Sequence, residues 1–235
     1  MLDDAGVLRF AAERNARGLA LKALGRFSAA RGEYGRALAA IQASATRHRQ
    51  AEATLYHNLG GIEFALGRYW QAESFARLGL ALRRDDPASL PGDIAADLNA
   101  LAAILDAVGQ TPDAEAMYSE ALTALEQSAG DTAVEVAVAL NGLGTIAANR
   151  GDLGPATALF ERSLVLRRQA LGARHAELAV ALNNLGVVFS RRGMPREAEA
   201  SYLQAVELLA DAVSSDHPQL LAIRSNLERC RARTS

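Results

Sequence analysis

Five glycines constrain this chain more than any other feature. Gly25, Gly67, Gly109, Gly151 and Gly193 each stand 42 residues from the next, with no insertion or deletion between them. A fixed period of about 20–50 residues is the signature of stacked structural repeats. Other positions keep the same register. Five residues after each glycine comes Ala30, Ala72, Ala114, Ala156 or Ala198, and nine after comes Tyr34, Ala76, Tyr118, Phe160 or Tyr202. Twelve after stand Ala37, Gly79, Ala121, Ser163 and Ala205, and seven before stand Gly18, Gly60, Ala102, Gly144 and Gly186.

The physics of that skeleton predicts a helical hairpin. Each period glycine lies between two segments whose apolar residues recur at helical spacing, where a left-handed cap ends one helix and reverses the chain. The small residue seven positions earlier falls inside a helix, where glycine costs about 0.5–1 kcal/mol relative to alanine, so close approach of the second helix is expected there. One hairpin cannot bury its apolar face alone, but a stack can. Composition agrees: 50% of the residues are hydrophobic, only 5% are aromatic and 22% are charged, which favours an ordinary all-α protein over sheet or disorder.

The order leucine, small residue, turn glycine, alanine, aromatic and small residue, seen at Leu143, Gly144, Gly151, Ala156, Phe160 and Ser163, resembles the tetratricopeptide repeat (TPR). Its 42-residue length resembles the kinesin-light-chain subclass found widely in bacterial proteins, as do LNNLG, REAEASYLQAVELL and connectors such as ALGARHAEL and SSDHPQLL. The resemblance implies a right-handed α-solenoid of five TPR hairpins, at about 8–46, 50–84, 92–128, 132–171 and 175–213, followed by a capping helix at 218–233. Arg14 and Arg17 replace the apolar residues of later first helices, and Glu228 replaces the small residue of the last, so a single capped array over 1–235 is expected. The connector RRDDPASLPGD, with Pro87, Pro91 and Gly92, interrupts it most strongly and is a candidate hinge.

In this repeat class the first helices line the concave face, which places the expected site on them. Three residues before the small position stand Asn15, His57, Asn99, Asn141 and Asn183, and two before it stand Asn58 and Asn184. A carboxamide donates and accepts, so such a ladder can hold an extended peptide backbone whatever its side chains, and the resemblance implies that role for Asn58, Asn99, Asn141, Asn183 and Asn184. The same periodicity would arise from asparagines that bind neighbouring repeats. Asn15, Lys22, His57, Phe64, Asp106, Asn149 and Arg191 are further groove candidates. The cations by which some TPR adaptors grip a C-terminal carboxylate are absent at Asn15, Leu19, Asn58, Ala96 and Ala100, which argues against chaperone-tail binding.

Other features point away from chemistry. His175 and His217 stand 42 apart in two connectors and read as spacers, with Pro218 at a first helical position. Trp70 reads as an exposed outer or edge residue and a candidate interface anchor. Arg167, Arg168, Arg191 and Arg192, with Glu161, Glu177 and Glu197 nearby, read as solvated helix faces. No phosphate loop, metal motif or nucleophile elbow occurs, so neither enzyme activity nor a cofactor is expected. A formal net charge of −2 argues against a nucleic-acid partner, and no apolar run is long enough for a membrane span. The lone Cys230 and an acidic N-terminus without a signal pattern suit the cytoplasm. The expected activity is binding of a protein or peptide, as a monomer or weak homo-oligomer. It takes the form of an adaptor, an effector-responsive regulatory sensor, or a self-assembling repeat protein.

Overall fold

A computed structural model of the chain describes residues 3–126 and 132–233, among which there are eleven α-helices and no strand. They are α1 (Asp4–Ala23), α2 (Phe27–Gln42), α3 (Arg49–Ala65), α4 (Tyr69–Arg84), α5 (Pro91–Ala107) and α6 (Thr111–Glu126), then α7 (Ala133–Arg150), α8 (Leu153–Leu171), α9 (Leu178–Arg191), α10 (Pro195–Ala210) and α11 (Pro218–Ala232). The fold is an all-α solenoid of five helical hairpins, each an odd helix followed by an even one, with α11 unpaired at the end.

Each hairpin turns at its period glycine. All five adopt positive φ, from 69° at Gly25 to 95° at Gly151. The hydrogen bonds are those of a Schellman cap: Gly67 N–H donates to the Phe64 carbonyl at 2.9 Å and Arg68 N–H to the Glu63 carbonyl at 2.8 Å, and the other four turns repeat the pattern. Pro91, Pro195 and Pro218 begin α5, α10 and α11, where a missing N–H leaves no bond unmade.

The helical glycines do not all work as expected. A Cβ placed on Gly18 would lie 2.3 Å from Tyr34 Cε1, on Gly144 2.8 Å from Phe160 Cε1, and on Gly186 2.5 Å from Tyr202 Cε1. In these three hairpins the glycine receives an aromatic ring from the second helix rather than a bare backbone. Only in α3–α4, where Ala76 takes the ring's register, do backbones meet: a Cβ on Gly60 would lie 3.4 Å from the Ala72 carbonyl.

The chain divides into two compact units, Met1–Ser128 and Ala129–Ser235. The first has a core built around Val7, Tyr34, Ile41, Leu55, Leu59 and Ile62. The second is built around Phe160, Leu182, Leu185, Tyr202, Leu220 and Ile223, and buries Cys230. In the first unit α3 touches both α1 and α5, and in the second α9 touches both α7 and α11. Among the described residues no two even helices pack backbone against backbone, although long side chains such as Arg168 and Arg84 reach from one to the next. Crowding of the odd helices makes them the inner row of each unit.

Candidate binding row on the odd helices

Within each unit neighbouring odd helices run in the same direction but are offset by one residue from the 42-residue period, so a side chain meets one 43 residues along the chain. Asn58 Nδ2 donates to Asn15 Oδ1 at 2.8 Å, Asn184 Nδ2 to Asn141 Oδ1 at 3.1 Å, and Asn226 Nδ2 to Asn183 Oδ1 at 2.9 Å. The acceptor always lies three residues before the small position of one repeat, and the donor two before that of the next. Asn58 is buried, and Asn15, Asn141, Asn183, Asn184 and Asn226 are half-buried. The ladder is therefore a set of amide pairs that tie one repeat to the next. Asn226 escaped the sequence reading, although it stands 42 residues after Asn184.

The pair is replaced between α3 and α5, where the acceptor position holds His57 and the donor position Ala100. His57 Nδ1 instead meets Asp97 Oδ1 at 2.6 Å, and Asp97 Oδ2 accepts from Arg83 Nε at 2.8 Å. Arg83 also reaches Asp93 at 3.3 Å and donates to Thr54 Oγ1 at 3.2 Å. Arg83 and Asp97 are buried, so three helices of the first unit, α3, α4 and α5, including both sides of the proline-rich connector, meet on one ion pair. Sequence reasoning missed both. A signal existed: Arg83 and Arg167 share a register, and each precedes an acid, Asp93 or Glu177, by ten residues.

Arg167 confirms that register and corrects the reading of it as a solvated face. It is buried and pairs with Glu177 at 3.2 Å; burial pushes its guanidinium below its ordinary value, and Glu177 pulls the other way. Arg168 reaches Gln204 at 3.3 Å and Arg192 reaches Thr157 at 3.1 Å, both bridging hairpins.

Beside His57, a cleft of about 110 Å³ opens between Gly60, Gly61 and Phe64 of α3 and Ala100, Ala103 and Ile104 of α5. Phe64 stands at its edge, its ring 5.6 Å from that of Tyr69. Lys22 is exposed and its Nζ lies against Gly61. The remaining candidates scatter. Asn99 is buried on α5, Asp106 accepts from Thr111 at 3.3 Å, Asn149 is exposed, and Arg191 donates to the Ala148 carbonyl at 2.5 Å. The row thus joins Asn15 with Asn58 in one unit, and Asn141, Asn183, Asn184 and Arg191 in the other.

Trp70 is 72% exposed on the first turn of α4, as its edge assignment expects, and neighbouring Tyr69 is also exposed. His175 Nδ1 accepts from the Glu177 N–H at 3.3 Å, and His217 stands at the start of α11. Among the described residues no group of three or more His, Cys, Asp or Glu is placed to hold a metal ion, and no helix is long and apolar enough to cross a membrane.

The family model described as tetratricopeptide repeat matches residues 93–164 and 135–211, which together are just over half of the chain. The chain belongs to the tetratricopeptide repeat family. Its TPR hairpins are similar to those of BtubC (BKLC) from P. vanneervenii, at 24% identity and a TM-score of 0.70, covering 91% of this chain and 86% of that one. They are also similar to the apo quorum sensor NprR from B. thuringiensis, at 17% identity and a TM-score of 0.72, covering 93% and 58%. The kinesin light chain TPR-like repeats of P. anserina match at 16% identity and a TM-score of 0.60, covering 85% and 94%. These likenesses are of fold, and they bear out the kinesin-light-chain resemblance of the 42-residue TPR unit. No curated protein matches the chain.

Proposed function

We propose that this TPR protein is a protein-interaction scaffold that holds an extended segment of a partner along the inner row of its odd helices. The observation that carries the reading is the state of the amide pairs. Each carboxamide has a donor and an acceptor, and each pair engages only one end of each residue. The Nδ2 of Asn141, the Oδ1 of Asn184 and the Nδ2 of Asn183 are left over, whereas the Oδ1 of Asn226 accepts from Arg229. Pairing fixes these side chains in place, so a peptide N–H or C=O that bonds to them pays little ordering entropy. The two roles considered for the ladder, stacking and binding, are thus compatible in one residue set. Fold likeness to a quorum sensor supports a regulatory use of the same row.

The test exploits an asymmetry: replacing both partners of a hydrogen bond by apolar groups of similar shape is close to neutral, while removing one is costly. Asn141→Leu/Asn184→Leu and Asn183→Leu/Asn226→Leu should keep the helical circular dichroism and the thermal midpoint. Peptides selected on the wild-type chain from a random display library should bind this four-residue variant at least about tenfold more weakly, equivalent to one or two lost hydrogen bonds. Undiminished binding by the folded variant would show that the inner row is not the site.

A further inference from the structure

At the C-terminal ends of α9 and α11 in the second unit, Arg191, Arg229 and Arg233 line one hollow of about 170 Å³, together with Ser190, Asn226 and Tyr202. Among the described residues that line it there is no carboxylate. We infer that this hollow is a carboxylate-binding pocket, which receives an aspartate or glutamate side chain of an acidic peptide lying along the inner row of the second unit. The inference rests on the proposed peptide-binding reading and adds the partner's chemistry to it.

Three arguments carry it. The first is charge. A helix C-terminus is equivalent to roughly half a negative charge, so the ends of α9 and α11 offset about one of the three guanidinium charges, and the rest faces the hollow. The second is the nature of the contacts the arginines already make. Arg191 donates to the Ala148 carbonyl and Arg229 to the Asn226 carboxamide, both neutral acceptors that use part of a five-donor fork. By contrast Arg231, on the opposite side of α11, is paired with Glu199 at 2.7 Å. The third is continuity. Asn226 is both a wall of the hollow and the last amide of the ladder, so a backbone held by the Asn183–Asn226 pair has its side chains within reach of the arginines. The Tyr202 ring at the base is set by Gly186, and its hydroxyl is pushed up to about 12, first by burial and then by Cys230, while Arg229 and Arg233 pull it down. It therefore stays protonated and adds no negative charge at neutral pH.

A carboxylate is favoured over phosphate because the buried Cys230 and the Tyr202 ring form part of the wall. A singly charged carboxylate costs less to desolvate against them than a phosphate dianion.

The test observes the arginine Nε–H resonances of the full-length chain while acetylated, amidated tetraglutamate is added, with tetraglutamine and inorganic phosphate as parallel arms at equal ionic strength. The expected result is saturable shifts confined to Arg191, Arg229 and Arg233 with tetraglutamate and none with tetraglutamine. Affinity should be about tenfold weaker in Arg229→Gln/Arg233→Gln but unchanged in Arg162→Gln/Arg196→Gln, the expected loss for charge-assisted hydrogen bonds. No shift, shifts spread over all arginines, or phosphate saturating the site below the tetraglutamate concentration would each overturn the inference. The wild-type titration alone suffices if the double variant fails to fold. If library peptides still depend on the asparagine pairs while this pocket is silent, only the carboxylate inference fails; if the pocket binds and the asparagine pairs prove irrelevant, the inner-row reading fails instead.

Discussion

At the residue scale, two glycines in equivalent positions have different jobs and should answer differently to the same substitution. Gly186 lies under the Tyr202 ring, and a methyl there would lie 2.5 Å from Cε1, so Gly186→Ala should cost about 1–3 kcal/mol by overpacking. At Gly60 the nearest atom would be the Ala72 carbonyl oxygen at 3.4 Å, an ordinary contact, so Gly60→Ala should be neutral or should gain up to about 1 kcal/mol from helix propensity. Denaturant unfolding of the two variants checks the contrast; equal destabilisation would mean the ring is not what the glycine accommodates. The difference is visible in the sequence only in hindsight, as the swap of an aromatic for Ala76 nine residues after Gly67.

At the element scale, charge ties helices together inside hairpins. Arg14 of α1 and Arg36 of α2 converge on the buried Glu33 of α2, at 3.0 and 2.6 Å, with Arg17 at 4.0 Å. The hydrogen bond from Arg14, first, and then Arg36 hold the Glu33 carboxyl below its ordinary value against the opposing effect of burial. As pH falls the unfolded chain takes up this proton before the folded one. The stability contributed is complete above the ordinary glutamate value and is lost as pH falls through the lower folded value. The thermal midpoint should therefore decline on acidification into that range, and Glu33→Gln should flatten the decline; an unchanged slope in the variant would remove Glu33 as a cause. Helices and turns were legible because their determinants are local: a left-handed glycine, a proline at a first helical position, apolar residues at helical spacing. The amide partners were not, because the meeting of Asn141 with Asn184 depends on how two helices are offset. Asp97 and Arg83 were hidden for a different reason, since residue type alone assigns charges to the surface. Arg229 lies in, and Arg233 directly after, a helix without a partner in the hairpin pattern, so the period gave no reason to single them out.

At the scale of the whole molecule, each unit carries its own core, and repeat proteins hold together chiefly through nearest-neighbour contacts. Removing one side of the Asp97–Arg83 pair with Asp97→Ala leaves a buried guanidinium with only its bonds to Asp93 and Thr54, and should cost about 3–5 kcal/mol. That loss should be local. Native-state hydrogen exchange should show reduced protection in α3, α4 and α5, with protection in α9, α10 and α11 close to that of the wild type. A uniform fall along the chain would show that the two cores unfold as one.

The amide seam has a consequence for how such a chain can lengthen. Each amide joint takes its acceptor from one repeat and its donor from the next, and the repeat containing Asn183 and Asn184 carries both halves. A tandem copy of that 42-residue segment, inserted directly after the original, would find an acceptor behind it and offer one to Asn226 ahead. The seam is polar and self-matching, so duplication of the corresponding stretch of gene extends the array without any compensating substitution at its joints.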